Sequence, residues 1–344
     1  MKIHNLGKSG LKVSELCFGA MTFGQGGGLW SAIGKVGQSD ANAMVKLAWE
    51  AGVNFYDTAN VYSYGQAEEI LGRAFKDLAI PREQLVIATK VRGAMSQEAE
   101  AGTGDWNNKG ISRKNIMNAV QGSLKRLGVD YIDLYQIHGW DFDTPMEEAL
   151  EALNDLVRAG LVRYIGVSNW PARKIVRALA MQESNRWARF VSLQAYYSLV
   201  ARDLEQELLP LVREEGLGLM VWSPLSGGYL SGKYRAGQTE TGRRSAFEFP
   251  PIDPRSEAAL AVLEQVAQNH GVSMATVALA WLIKQPGVTA PILGASKLSQ
   301  LEQNLGAAQL ELTQDELTAL SEPTKPVPMY PNWMVSWMNE RTVS

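Results

Sequence analysis

Residues 54–67 read Asn54-Phe55-Tyr56-Asp57-Thr58-Ala59-Asn60-Val61-Tyr62-Ser63-Tyr64-Gly65-Gln66-Ala67. The apolar run from Val53 to Tyr56 predicts a buried strand, and Asp57 places an acid where that run ends. Tyr62 follows in a loop, and Gly65 punctuates the chain before a helix that starts at Gln66 or Ala67. A carboxylate at the carboxyl end of a strand, with a phenol in the next loop, suits the active site of a barrel enzyme. The same pair also suits a capped strand and an ordinary surface turn. The rest of the chain separates the two readings.

Outward from this stretch the same pattern recurs: a short apolar strand, a loop, an amphipathic helix. The strands fall at Leu16 to Ala20, Val53 to Tyr56, Leu85 to Thr89, Tyr131 to Ile137, Tyr164 to Val167, Phe190 to Gln194, Gly218 to Trp222 and Val288 to Leu293. They are nearly continuously apolar, as parallel strands covered on both faces should be. The helices carry start and stop signals. One runs from Asp40 to Glu50 before Gly52, and another from Ser112 to Leu127, stopped by Gly128. Pro145 and Pro171 open the next two, and further helices are expected at Asp203 to Glu215, Ser256 to Asn269, Ser273 to Lys284, Leu298 to Ala307 and Gln314 to Leu320. Eight alternating units favour a closed α/β barrel, the (β/α)8 or TIM barrel, over an open doubly wound sheet.

A hairpin, Ile3 to Leu6 and Leu11 to Ser14 around Gly7-Lys8-Ser9-Gly10, precedes the repeats. A Gly-, Arg- and Ser-rich insertion at 228–254 and a Pro- and Trp-rich tail at 321–344 are too long for plain connections and read as functional loops. The Gly24-Gln25-Gly26-Gly27-Gly28 run matches no dinucleotide fingerprint and reads as a flexible loop on the substrate side. With no interdomain linker in view, all 344 residues are expected to form one barrel domain.

A net charge of −3 with dispersed cations speaks against a nucleic-acid face or an anionic membrane surface. Cys17 is the only cysteine, which excludes an internal disulfide and favours a reducing compartment. The sequence opens on the hairpin, so no apolar leader and no extension ahead of it are expected, and no stretch in it is long enough to span a bilayer. A cytoplasmic location is expected. A homo-oligomer is compatible with the sequence.

In a barrel the carboxyl ends of all strands meet on one face. Here those ends carry Asp57, Lys90, His138, Ser168-Asn169, Gln194, Ser223 and the Gly294-Ala295-Ser296 turn. An acid, a lysine and a histidine converging with Tyr62 make a constellation with one fitting chemistry. A phenol titrates near ~10, too high for ready proton transfer at neutral pH, and lowering it by about two to three units needs roughly 3–4 kcal/mol. One cation ~4 Å away at an effective dielectric of ~20 supplies about that much. Lys90 serves only while protonated, which burial opposes and Asp57 restores. His138 is left to hydrogen-bond a substrate oxygen. The set suits proton delivery to a carbonyl oxygen, yet it supplies no hydride and no nucleophile, so a cofactor must bring the reducing equivalents. The three histidines lack metal-ligand spacing, and no metal is expected.

The stretch from Asn54 to Gly72, Ile87-Ala88-Thr89-Lys90, the run Tyr131 to His138, and Gly166-Val167-Ser168-Asn169 resemble the aldo-keto reductases. Trp222 to Gly228, Ser231 to Tyr234 and Leu293 to Ser296 are similar to the branch that holds potassium-channel β-subunits and aryl-alcohol-dehydrogenase-like reductases. The resemblance implies a tetrad of Asp57, Tyr62, Lys90 and His138, with Tyr62 as general acid in reduction. It implies NADPH lying extended across the barrel mouth. Gly19, Ala20, Met21 and Asp57 would border the cofactor. Ser168, Asn169 and Gln194 would hold its carboxamide, with Trp222 stacked on the nicotinamide ring. Ser223, Pro224, Leu225, Ser226, Gly227 and Lys233 would surround the pyrophosphate. Gly294, Ser296, Gln300 and Arg244 would meet the 2′-phosphate, and Gln303 and Asn304 the adenine. Gln303 departs from the glutamate common in the family.

The function implied is reversible NADPH-dependent reduction of an aldehyde or ketone. The alternatives are an NADPH-binding, redox-sensing regulatory subunit and an alcohol dehydrogenase working oxidatively. Phe23, Trp30, Tyr64, Trp106, Trp140, Tyr330 and Trp333 are the candidate pocket wall by loop position, which suggests a bulky apolar or aromatic carbonyl substrate.

Overall fold

The computed structural model describes residues 1–27, 30–234 and 249–342. A two-stranded antiparallel hairpin, β1 (Ile3–Asn5) and β2 (Lys12–Ser14), precedes eight parallel strands. These are β3 (Cys17–Gly19), β4 (Phe55–Asp57), β5 (Val86–Val91), β6 (Ile132–Ile137), β7 (Val162–Ser168), β8 (Phe190–Tyr196), β9 (Gly218–Trp222) and β10 (Val288–Leu293). Each pairs with the next, and β10 pairs with β3 to shut the ring. The chain is a (β/α)8 barrel, as its repeating pattern predicts.

Alternation along the strands sorts the side chains into two cores. Cys17, Phe55, Val86, Ala88, Leu134, Met220, Ala290 and Ile292 point inward and fill the lower barrel. The hairpin seals the floor: Leu6 and Val13 are fully buried in this inner cluster, and a Cβ on Gly218 would lie 2.5 Å from Leu6 Cδ1. Outward residues such as Phe18, Tyr56, Ile87, Ile137, Val167, Leu193 and Val221 pack under the surrounding helices. Higher in the barrel the inward positions turn polar, with Asp57, Lys90, Gln136, Ser168, Ser192 and Gln194 all buried. That polar layer positions the site.

The helix caps form where the sequence placed them. The hydroxyls of Ser112, Ser273 and Thr313 accept from Asn115 N, Thr276 N and Glu316 N, and the Glu316 carboxylate bonds back to Thr313 N. Two expectations need correction. The helix expected from Asp203 to Glu215 breaks into a 3-10 turn, Asp203–Gln206, and an α-helix, Leu208–Glu215. Pro210 lacks an amide proton and its ring would strike the carbonyl of Gln206, so a continuous helix cannot form there. The C-terminal tail is not all loop, because Asn332–Thr342 is helical. Within the glycine run, a Cβ on Gly26 would lie 2.5 Å from Trp30 Cβ and 3.1 Å from Ser63 Cα. Gly28 and most of the 228–254 insertion, including Arg244, lie outside the described residues.

Helix Gln66–Asp77 crosses Arg113–Leu127 at Gly72, where an added Cβ would lie 2.3 Å from the Leu127 carbonyl oxygen. Backbone on backbone cannot yield as a side chain can. Gly72→Ala is therefore expected to lower unfolding stability by about 1–3 kcal/mol in urea titration.

Candidate active site

Asp57 closes β4, and its register partner on β5 is Ala88, which puts Lys90 one inward position higher. Both side chains are almost wholly buried. Lys90 Nζ donates to Asp57 Oδ2 at 2.5 Å, to the Thr58 carbonyl at 2.8 Å and to Tyr62 OH at 3.4 Å. An ammonium has three protons, and these three acceptors match them. Burial alone would lower the pKa of Lys90, but the Asp57 charge and then Tyr62 outweigh it and hold the amine above its ordinary value. Lys90 is a charged ammonium at neutral pH.

Tyr62 reaches this cation because the chain turns sharply behind it. Ser63 and Tyr64 both adopt left-handed backbone angles, φ 49° and 52°, which for residues with a Cβ cost on the order of 1–3 kcal/mol each. The buried Ser63 hydroxyl donates to the Phe23 carbonyl at 3.0 Å and anchors the turn. Behind it the first turn of helix Gln66–Asp77 carries Glu68, fully buried, which accepts from Thr89 Oγ1 at 2.6 Å and from Arg126 Nε at 2.7 Å. Thr89 neighbours Lys90 in sequence. The Glu68 carboxylate, held by Arg126, therefore ties the helix behind the tyrosine loop to the lysine strand through Thr89, from outside the barrel.

His138 follows β6, with its backbone N–H on the Val91 carbonyl at 2.9 Å. Its ring stands edge-on to Tyr62, centroids 5.6 Å apart. Burial, with the nearby Lys90 and Arg92 charges, pushes its pKa well below the ordinary histidine value, so the imidazole is neutral. A neutral imidazole offers one donor and one acceptor. Asp57, Tyr62, Lys90 and His138 thus stand together.

Beside them, Asp57 Oδ1 accepts from Gln194 Nε2 at 2.9 Å and from Gln136 Nε2 at 3.3 Å. Asn169, left-handed at φ 55°, donates to the His138 carbonyl and to Ser168 Oγ and accepts from Trp222 Nε1 at 2.9 Å. The half-buried Trp222 indole lies nearly parallel to Tyr196 and to Phe249. Gln136 was not among the expected site residues. Its signal was available: a polar residue in an apolar strand, two positions before His138 and so on the same face.

The loop after β9 is a tight backbone turn, with Ser223, Ser226, Gly227 and Gly228 all at positive φ. Ser223 Oγ accepts from Gly227 N at 3.0 Å, Pro224 is buried, and Leu225 and Lys233 are partly exposed. Ser226 lies inside the loop. It is fully buried, with its hydroxyl paired to Ser198 Oγ and Tyr196 OH, so its side chain braces the loop. Across the rim, Ala20 N bonds the Asp57 carbonyl beside Gly19 and the half-buried Met21. Gly294 is exposed, and a Cβ there would meet nothing within 4 Å. Ser296 bonds Gln300 at the start of helix Leu298–Leu305, where Gln303 is exposed and Asn304 buried. An open edge with a half-buried indole, a lysine and a helix N-terminus fits a long, flat, anionic cofactor such as a dinucleotide.

The proposed pocket wall is only partly assembled. Trp30 packs on Tyr62, ring centroids 5.5 Å apart. Tyr64 faces Glu100, donating at 2.6 Å, and this bond above all pushes its pKa up to about 12. Trp140 packs on the buried Trp170. Phe23 is a core residue, fully buried against Phe18, because the turn after β3 folds it under the helices instead of over the mouth. Trp106 is 64% exposed. Tyr330 and Trp333 pack on each other, 74% and 49% exposed, in a tail clamped by the Gln206 amide to Val327 O and Met329 N.

A closed parallel barrel whose rim gathers a buried acid–lysine pair, a phenol and a neutral imidazole has the makings of an acid–base catalyst. Residues 15–324 match the family model described as the Aldo/keto reductase family. The chain is 35% identical to the "Versiconal hemiacetal acetate reductase" of Aspergillus parasiticus, over 96% of this chain and 99% of that one. It is 35% identical to the "Putative aryl-alcohol dehydrogenase" of Schizosaccharomyces pombe, over 94% and 96%. It is 38% identical to the "Probable voltage-gated potassium channel subunit beta" of Oryza sativa subsp. japonica, over 89% and 91%. The chain belongs to the aldo/keto reductase family, oxidoreductases that interconvert carbonyls and alcohols with a nicotinamide cofactor. Among the described residues, no helix is long and apolar enough to cross a membrane.

Proposed function

We propose that this chain is a cytoplasmic NADPH-dependent reductase of aldehydes or ketones, with Tyr62 as its general acid and the reverse oxidation available through the same residues. The observation that carries the reading is the Lys90 ammonium, paired with Asp57 and 3.4 Å from the Tyr62 hydroxyl. NADPH, when bound, supplies the hydride. The side chains do the rest. A fixed cation beside the phenol favours its ionised form, so Tyr62 releases a proton more readily than a free tyrosine. A carbonyl oxygen near Tyr62 and His138 meets two donors, the phenol O–H and an imidazole N–H. Charge developing on that oxygen is neutralised by the Tyr62 proton. In oxidation the phenolate takes the alcohol proton instead.

Asn169 and Gln194, with Ser168 behind them, would hold the carboxamide, and Trp222 would lie against the flat ring. The backbone of Ser223, Leu225 and Gly227, with Lys233, would meet the pyrophosphate. Arg244, Ser296 and Gln300 would take the 2′-phosphate, and Gln303 and Asn304 the adenine.

The test is a panel of aliphatic and aromatic aldehydes and ketones, followed by loss of reduced-nicotinamide absorbance with NADPH and then NADH. NADPH is expected to be preferred at least about tenfold in kcat/KM, the scale of one charge-assisted contact to the extra phosphate. Equal use of both would overturn the NADP preference. A second reading, a nucleotide-binding regulatory subunit, draws on the relatives named as potassium channel β subunits at 38% and 37% identity. Tight NADPH binding with no turnover across the panel would select it.

A further inference from the structure

Gln136 gives Asp57 a donor that the roles above leave unexplained. It lies within β6, is wholly buried, and pairs in register with Lys90 on β5 and Gly166 on β7. Gly166 makes the room: a Cβ there would lie 2.3 Å from Ser192 Oγ and 3.2 Å from Gln136 Cγ. The carboxylate is divided. Oδ1 takes Gln136 at 3.3 Å and Gln194 at 2.9 Å, while Oδ2 takes Lys90. Gln136 Oε1 is buried with no hydrogen-bond partner among the described residues. An amide half-satisfied inside a barrel is a net cost that a leucine there would avoid.

We propose that Gln136 is a positioning residue of the acid–base centre: it holds Asp57 Oδ1 so that Oδ2 stays on Lys90, and so helps set the proton affinity of Tyr62. Gln194 pairs in register with Ser168, one inward position higher than Gly166. It is the amide a bound carboxamide would engage. Gln136 lies deeper and keeps donating when Gln194 turns to a ligand. The geometry stands by itself, and only the turnover consequences rest on the reductase reading.

The other titratable groups facing this centre are few. Cys17 on β3 is held protonated, by burial first and then by Asp57, and His138 after β6 is neutral. Arg92, just after β5, is a further cation whose charge reaches His138. Gln136→Glu is nearly isosteric and sets a second carboxyl against Asp57 Oδ1. Protonated, it donates as the amide does. Ionised, it adds negative charge that raises the proton affinity of the phenol.

The readout is the Tyr62 titration in nucleotide-free protein, followed by NMR of 13C-labelled tyrosine, with Tyr62→Phe assigning the signal. The midpoint is expected to move up by about one pH unit in Gln136→Glu, and the same way by less in Gln136→Met, which lacks the donor. In turnover, the basic limb of the kcat/KM profile for reduction should follow the same shift, with nucleotide affinity by fluorescence titration unchanged. Unmoved midpoints in both folded variants would overturn the proposal. If Gln136→Glu does not fold, the Gln136→Met midpoint decides. Because the NMR titration needs no turnover, failure of the reductase reading would leave this result standing.

Discussion

Tyr62→Phe is expected to cut carbonyl reduction by about 10²–10⁴-fold, the usual contribution of a positioned proton donor. It removes one hydroxyl and little else. Lys90 keeps Asp57 and the Thr58 carbonyl, so the buried ion pair survives. The ring still packs against Trp30 and His138. The loss should therefore fall on kcat and kcat/KM alike, the signature of an interaction made in the transition state. Nucleotide affinity, read by fluorescence titration, should stay within about threefold. Retained turnover would remove Tyr62 from the role of acid and would leave the lysine–aspartate pair without an object.

The largest effect on the fold is expected at Arg126. Its guanidinium is the only cation paired with the fully buried Glu68 among the described residues. Breaking a buried pair by deleting one partner strands the other charge, at a cost of about 3–5 kcal/mol. Arg126→Met should lose that much in urea unfolding. The side chain also lies along Gly65 and Gly122, where added Cβ atoms would come within 2.7 Å and 2.9 Å of it, so the methionine stem retains some packing. Adding Glu68→Gln should recover part of the loss, because a neutral amide needs no counter-charge. A deficit below about 1 kcal/mol would mean that water or another group already serves Glu68. Turnover should fall too, since Arg126 holds the carboxylate that links the helix behind the tyrosine loop to Thr89, next to Lys90.

The barrel was legible because its strands are buried on both faces and its helices carry ordinary caps. Ser112, Ser273 and Gly128 announce their roles locally. Lys90 and His138 stood out because each is polar where an apolar run ends. Glu68 did not, because a glutamate in the first turn of a helix looks like ordinary dipole compensation until the fold shows it buried. Phe23 was misread for the converse reason: loop position does not say which way a ring turns. The break at Pro210 was legible in principle, but a strong apolar period hid it.

The stoppered floor has a wider consequence. With Leu6 and Val13 seated among the inward residues, the described residues close the lower end of the barrel, and the buried polar layer lies toward the opposite rim. Selectivity can be rewritten in the loops around that rim while the hairpin and lower barrel go on supplying rigidity. Division of labour of this kind lets one scaffold serve relatives with names as unlike as a hemiacetal acetate reductase and a channel subunit.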